Sequence, residues 1–140
     1  MPEDSTTPDL VERWRQMEEA FLRRDFDAGI SFFAPDAVWD ASSVGIDRSE
    51  GATAIRSFLE EWLGAYEEYE HKQEEAQDLG SGVVFAVAVL DARPAGSAGR
   101  VREQWGFTVT WAAGMIVRVV VAQDIEKSRA AAERLAESRE

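Results

Sequence analysis

Two side chains in this sequence have the types and settings of proton carriers. His71 is the only histidine, and it lies among Glu67, Glu68, Glu70, Glu74 and Glu75. Facing a cavity it would be the natural proton shuttle at neutral pH. Facing outward it would be an exposed histidine on an acidic edge. Asp40 closes the segment Ala37-Val38-Trp39-Asp40. A carboxylate against an aromatic wall can have its pKa raised and act as a general acid or base; the competing reading is a surface carboxylate ending a strand. Arg102, Gln104 and Gln123 alternate toward one face of a hairpin, where they could orient a carbonyl or carboxylate. Arg is costly to bury unpaired, so Arg102 belongs at a cavity mouth or beside an acid. Asp124 immediately precedes a helix and reads as its N-cap.

Other chemistries are excluded. The chain has no cysteine, which removes thiolate nucleophiles, disulfides and zinc–thiolate sites. One histidine leaves only carboxylates for a metal, so none is expected. No glycine-rich phosphate loop, nucleophile elbow or dinucleotide fingerprint occurs, and no cofactor is expected. Asp and Glu number 27 against 15 Lys and Arg, for a net charge of −12. Such a surface repels phosphate backbones and anionic membranes, so neither nucleic acid nor membrane is an expected partner. The acidic N-terminus is no signal peptide and the longest apolar run, Val83 to Leu90, is too short to span a bilayer. A cytoplasmic protein is expected. Thirteen arginines against two lysines, with no asparagine, read as the codon bias of a GC-rich bacterial genome.

The elements that must position these residues follow from period and breakers. Thr7-Pro8-Asp9 starts a helix running to about Arg24, with Leu10, Trp14, Met17 and Phe21 as its buried stripe. Phe26 to Phe33 reads as a second helix, which Pro35 bars from continuing. A strand over 37–40 and a polar loop to Glu50 follow. Gly51 opens a third helix with Ile55, Phe58, Leu59, Trp62 and Tyr66 on one stripe. Tyr69 to Leu79 reads as a polar outer strand, and Val83 to Leu90 as a strand buried on both faces. Arg93 to Arg100 is a loop, and Ile125 to Glu140 a final helix whose thin stripe predicts frayed last turns over about 134–140, like residues 1–8. All 140 residues form one domain.

Between these lies the hairpin Val101 to Asp124, turning at Ala113-Gly114. Regular pairing sets Trp111 opposite Ile116 and Gln104 opposite Gln123. One face then carries Trp105, Phe107, Trp111, Ile116, Arg118 and Val120; the other carries Arg102, Gln104, Gly106, Thr108, Thr110, Val119 and Gln123. Helices before an antiparallel meander specify an α+β layer fold, a curved, mostly antiparallel sheet with helices closing its concave face. The small-residue face is expected to floor an internal pocket for a small, largely apolar molecule, lined also by Trp14, Met17, Trp39, Phe58, Trp62 and Phe85. The tryptophan face has no cover left in the chain, so a homodimer through it is expected.

Four pieces carry a family resemblance: Arg23 to Asp40, Glu50 to Leu63, the buried strand after a Gly turn, and Ala112 to Asp124. Together they resemble a SnoaL-like member of the nuclear-transport-factor-2-like superfamily over nearly the whole chain. The resemblance implies a cone of curved sheet and helices around a hydrophobic pocket, commonly dimeric through the sheet. Members include ketosteroid isomerases, polyketide cyclases, epoxide hydrolases and dehydratases, so fold does not fix function. The positions matching the ketosteroid isomerase Tyr, general-base Asp and oxyanion Asp are Met17, Ala41 and Gly106, none of which can do that chemistry. That argues against ketosteroid isomerisation. Polyketide cyclases of this type need only one Asp, or a His–Asp pair, in the pocket. Three functions therefore stand: a small-molecule-binding domain, a cofactor-free acid–base enzyme (cyclase, isomerase or dehydratase), and a protein-interaction module.

Overall fold

A computed structural model describes residues 9–139. The expected helix start at Thr7-Pro8 lies outside these residues. Asp9 is the N-cap of α1 (Leu10–Leu22), its carboxylate accepting from the Glu12 N–H. A short α2 (Phe26–Ile30) follows. The chain enters β1 (Phe33–Asp40) earlier than expected, since Pro35 is tolerated inside that strand. A two-residue β2 (Ser49–Glu50) leads into α3 (Ala52–Gly64). The meander is β3 (Tyr66–Gly80), β4 (Val83–Pro94), β5 (Val101–Ala112) and β6 (Met115–Ala122), and α4 (Ile125–Ser138) closes the chain. The acidic strand β3 is 15 residues long and starts at Tyr66, so Tyr66 belongs to the sheet and not to α3.

The strands form one sheet in the order β2-β1-β6-β5-β4-β3. Only the β1–β6 pair is parallel. The fold is α+β, a curved, unclosed sheet with α1 and α3 against its concave face.

The hairpin turns at Ala113 and Gly114, whose φ values of 52° and 79° suit a two-residue primed turn. Past the turn the register departs from regular pairing. Trp111 faces Ile116, but Thr110 faces Arg118, so Val117 is an extra residue in β6. A one-residue insertion moves every later side chain to the other face. Val119 and Val121 therefore join Val109 and Phe107 on the concave side. Arg118, Val120 and Ala122 join Thr110, Thr108 and Gly106 on the convex side.

The two faces are also covered the opposite way from expectation. Trp105, Phe107, Trp111 and Ile116 are all buried in the main core with α1 and α3. They lie inside the protomer, where a second copy could not reach them. The small-residue face is not a pocket floor, because α4 packs on it. Ala132 and Ala136 of α4 bury Val83, Phe85 and Val87. A Cβ on Gly106 would approach Ser128 Oγ to 3.2 Å and Ile125 Cδ1 to 3.3 Å, so this glycine lets helix and sheet meet.

The end of α4 is fastened where fraying was expected. The Arg139 guanidinium donates to the Ser81 and Trp111 carbonyls, and Arg129 lies over the Phe85 ring at 5.0 Å while paired with Glu75. A thin Ala stripe suffices because small side chains pack closely on a flat strand face. Replacing fully buried Ala132 with Glu should undock this helix and cost about 2–4 kcal/mol in urea unfolding. A loss within about 0.5 kcal/mol, as for a surface substitution, would show that α4 does not cover the sheet.

Candidate functional site

The concave side holds a cavity of about 100 Å³ between α1, α3 and the strands. That is on the scale of cavities known to hold a single aromatic ring. Its wall is mostly aromatic. Trp39 meets Phe58 at 6.2 Å, Phe58 meets Trp62 at 6.0 Å, and Trp62 meets Trp105 edge-on at 6.3 Å. Trp14 and Phe107, 5.6 Å apart, complete it with Met17. Tilted and edge-on pairs suit ring quadrupoles and hold such a wall rigid.

Among the described residues, three with ionisable side chains line this wall: Glu18, Tyr69 and His71. Glu18 follows Trp14 by four residues and precedes Phe21 by three, so helical spacing points it inward with the apolar stripe. Tyr69 and His71 are alternate residues of β3, opposite Ala92 and Leu90 of β4, and therefore share the inward face. Glu68 and Glu70 alternate outward, and the register shift between Gln73 and Glu75 puts Glu75 on the opposite face from His71.

Glu18 and His71 meet. The carboxylate Oε2 lies 3.5 Å from His71 Nε2, and their side chains are only 11% and 13% exposed. The distance is slightly long for a direct hydrogen bond. The imidazole stands edge-on to Phe107 at 6.2 Å. Neither side chain has a charged partner that would offset its burial. Desolvation, with a smaller effect of the Glu19 charge, pushes the Glu18 carboxyl up to about 8. Desolvation alone takes His71 down to about 4. At neutral pH a carboxylic acid therefore faces a neutral imidazole, with one titratable proton, on the carboxyl.

Of the residues singled out in the sequence, Trp14, Met17, Trp39, Phe58, Trp62 and His71 line the cavity. The others do not. Asp40 follows inward-facing Trp39 and so points to the convex side. It accepts from Ser42 N at 3.0 Å and Ser42 Oγ at 2.6 Å, and pairs with Arg118 at 3.1 Å. The Ser42 hydrogen bonds, helped by Arg118, hold its carboxyl below the usual range, the reverse of a raised general acid or base. Phe85 lies under α4, and Thr108 is buried on the same convex side. Arg102 is 72% exposed beside Asp91. Gln104 donates to Glu74 and Gln123 to Glu103, both at the surface. Val119 is buried in the core behind the cavity wall. Arg118 and Val120 share the convex face.

Glu18 was missed, although the sequence carried a signal for it: a carboxylate inside the apolar stripe of an amphipathic helix. Tyr69 carried the same alternation as His71. Among the described residues, no group of three or more His, Asp or Glu side chains is arranged to hold a metal, and no helix is long and apolar enough to cross a membrane.

The perturbed pair has a stability signature. An unfolded chain ionises Glu18 near 4.5, the folded one only near 8, so stability falls as pH rises between those values. His71 takes up a proton near 6.5 when unfolded but near 4 when folded, so stability falls as pH drops between those values. Glu18→Gln should therefore gain roughly 2–4 kcal/mol over the parent at pH above 8 and little at pH 4. Equal differences at both pH values would mean that Glu18 is not held protonated by the fold.

Comparison with known proteins agrees with this architecture. The SnoaL-like domain family matches residues 12–119. No curated protein matches the sequence. Among solved structures, an NTF2-like protein of unknown function from Burkholderia pseudomallei superposes with a TM-score of 0.73 at 15% identity, covering 86% of this chain and 95% of that one. A candidate polyketide cyclase from Sinorhizobium meliloti gives a TM-score of 0.66 at 24% identity, covering 86% and 99% of the two chains. TerC, co-crystallised with polyporic acid, gives 0.70 at 16% identity over 88% and 97%. The chain belongs to the SnoaL-like family and has the NTF2-like fold.

Proposed function

We propose that the concave cavity binds a small, largely apolar molecule and that Glu18 and His71 move a proton on it without a cofactor. The reaction class is that of a cyclase, isomerase or dehydratase. The observation that carries this reading is the buried acid–imidazole pair in an otherwise largely apolar cavity. A cavity meant only to hold an apolar molecule gains nothing from burying two ionisable groups, each of which costs free energy to desolvate. A proton-transfer site needs such groups, with one proton between them near neutral pH. The fold's relation to polyketide cyclases is consistent with this chemistry.

The pair works in either direction. A C–H bond of the ligand breaks toward the pair, which then carries a second proton. Returning a proton to another atom along the shifted double bond completes an isomerisation. Attack of the C–H electron pair on a carbonyl carbon of the same molecule, with the proton returned to the resulting alkoxide oxygen, completes a cyclisation, and loss of hydroxide with that proton, as water, completes a dehydration. The apolar wall lowers the polarity around the pair and strengthens each electrostatic contact there.

The test is exchange of carbon-bound hydrogen, read by NMR in deuterated buffer. Acetophenone, phenylacetonitrile and phenylnitromethane serve as small aromatic carbon acids. The protein should accelerate exchange of at least one of them, and Glu18→Gln or His71→Gln should each lower that rate by about 10²–10⁴-fold. The rate should peak between about pH 4 and about pH 8, where the pair holds one proton. Binding of these probes with exchange no faster than in buffer would leave a binding domain and overturn the enzymatic reading.

A further inference from the structure

The third polar group of the cavity, Tyr69, is used by neither proton carrier. Its hydroxyl oxygen accepts a hydrogen bond from Trp62 Nε1–H at 3.0 Å. An indole nitrogen can only donate, so the direction of this bond is fixed. With its lone pair engaged, the phenol must direct its own proton elsewhere, and no acceptor for that proton occurs among the described residues. Trp62 is itself held by edge-on contacts with Trp105 and Tyr66, at 6.3 and 5.6 Å. The donor is therefore pre-oriented on a rigid support.

Tyr69 stands two residues from His71 on the inward face of β3, and it lines the same cavity as Glu18. Burial pushes the phenol up to about 12, so it keeps its proton throughout the working range of the pair. Unpaired indole N–H groups also occur at Trp14 and Trp105. Trp111, which does not line the cavity, has one as well, so unpaired indoles do not mark a ligand in this fold.

We propose that Tyr69 is a catalytic hydrogen-bond donor to an oxygen of the ligand, and that the natural occupant is a small, neutral aryl carbonyl compound. This rests on the proton-transfer reading of Glu18 and His71. With the carbonyl oxygen on Tyr69, the carbon next to the carbonyl faces the pair. Its C–H bond breaks and the proton passes to the pair. The C–H electrons form the C=C bond of an enolate, and the carbonyl π electrons move to oxygen, where the Tyr69 O–H meets the developing charge. Reprotonation at carbon or oxygen restores the pair, so nothing is oxidised and no co-reactant is needed.

The experiment uses three probes of similar size on the whole protein: acetophenone, isopropylbenzene and benzylamine. Binding is read from ligand-induced NMR shifts, and catalysis from hydrogen exchange at the acetophenone methyl group. The parent should bind acetophenone more tightly than isopropylbenzene, and benzylamine least. Tyr69→Phe should retain isopropylbenzene binding, which also reports that the variant is folded. It should lose the preference for the ketone and slow exchange by about 10²–10³-fold, with the pH limits of the exchange unmoved. Trp62→Phe frees the phenol to rotate and should give a smaller loss in the same direction.

Unchanged exchange and ketone preference in Tyr69→Phe, with Glu18→Gln and His71→Gln still inactive, would overturn the role of Tyr69 and leave the proton carriers standing. Tightest binding of benzylamine would overturn the carbonyl class in favour of a cation held by aromatic rings. Exchange of phenylacetonitrile or phenylnitromethane without exchange of acetophenone would overturn this inference and leave the proton carriers standing, whereas no exchange above buffer with any of these three carbon acids would remove the proton-transfer reading and this inference with it.

Discussion

One unpaired residue in β6 decides what this molecule keeps inside. Val117 breaks the register of the central hairpin, so the strand presents Ile116 and then Val119 and Val121 to the same concave side. Without it, Arg118 and Val120 would face α1 and α3, and an unpaired guanidinium would enter the aromatic core. With it, Arg118 emerges on the convex side beside Asp40, and the concave side is apolar from β4 to β1. The cavity, its aromatic wall and the isolation of its polar groups all depend on that shift. The bulge also bends the sheet, as bulges do, which makes a concave face deep enough to be closed by helices.

The consequence for chemistry is desolvation without compensation. Elsewhere the acidic groups are paired and exposed: Glu67 and Glu68 with Arg93, Glu68 and Asp91 with Arg100, and Glu75 with Arg129. Arg100 with Arg93 lowers Glu68, Arg129 lowers Glu75, and the Gly96 N–H with Arg93 lowers Glu67. Glu18 has no such partner, so its carboxyl moves the other way. Two residues of one chemical type are thus separated in acidity by their surroundings, and the pair that shares a proton is the one the fold keeps from water.

The fold was largely legible in the sequence. Helical stripes, the Gly turn and the hairpin turn identified the elements, their order and the layer class. The sides of the sheet were not legible. Strict alternation from Ala113-Gly114 assigns the faces of β6 wrongly past Ile116, because a bulge leaves no mark in a run of β-branched residues such as Val117, Val119, Val120 and Val121. The Ala-rich α4 also carries too thin a stripe to announce that it covers the sheet. Once the faces were exchanged, Arg102, Gln104 and Gln123 left the site and Trp105 and Phe107 entered it. His71 was legible by type, and Asp40 failed by the same alternation that points Trp39 inward. Glu18 could have been found as the one carboxylate within the α1 stripe, since helical phase alone places it beside Trp14 and Phe21.

The central claim is that this fold holds one buried carboxyl protonated at neutral pH beside a neutral imidazole. Infrared difference spectroscopy between the parent and Glu18→Gln at pH 7, with glutamate carboxyl groups isotopically labelled, reads that proton directly. A protonated Glu18 predicts the C=O stretch of a carboxylic acid in the parent, shifted by the label and absent from the variant. A difference spectrum containing only carboxylate bands would show Glu18 ionised at pH 7 and would contradict it.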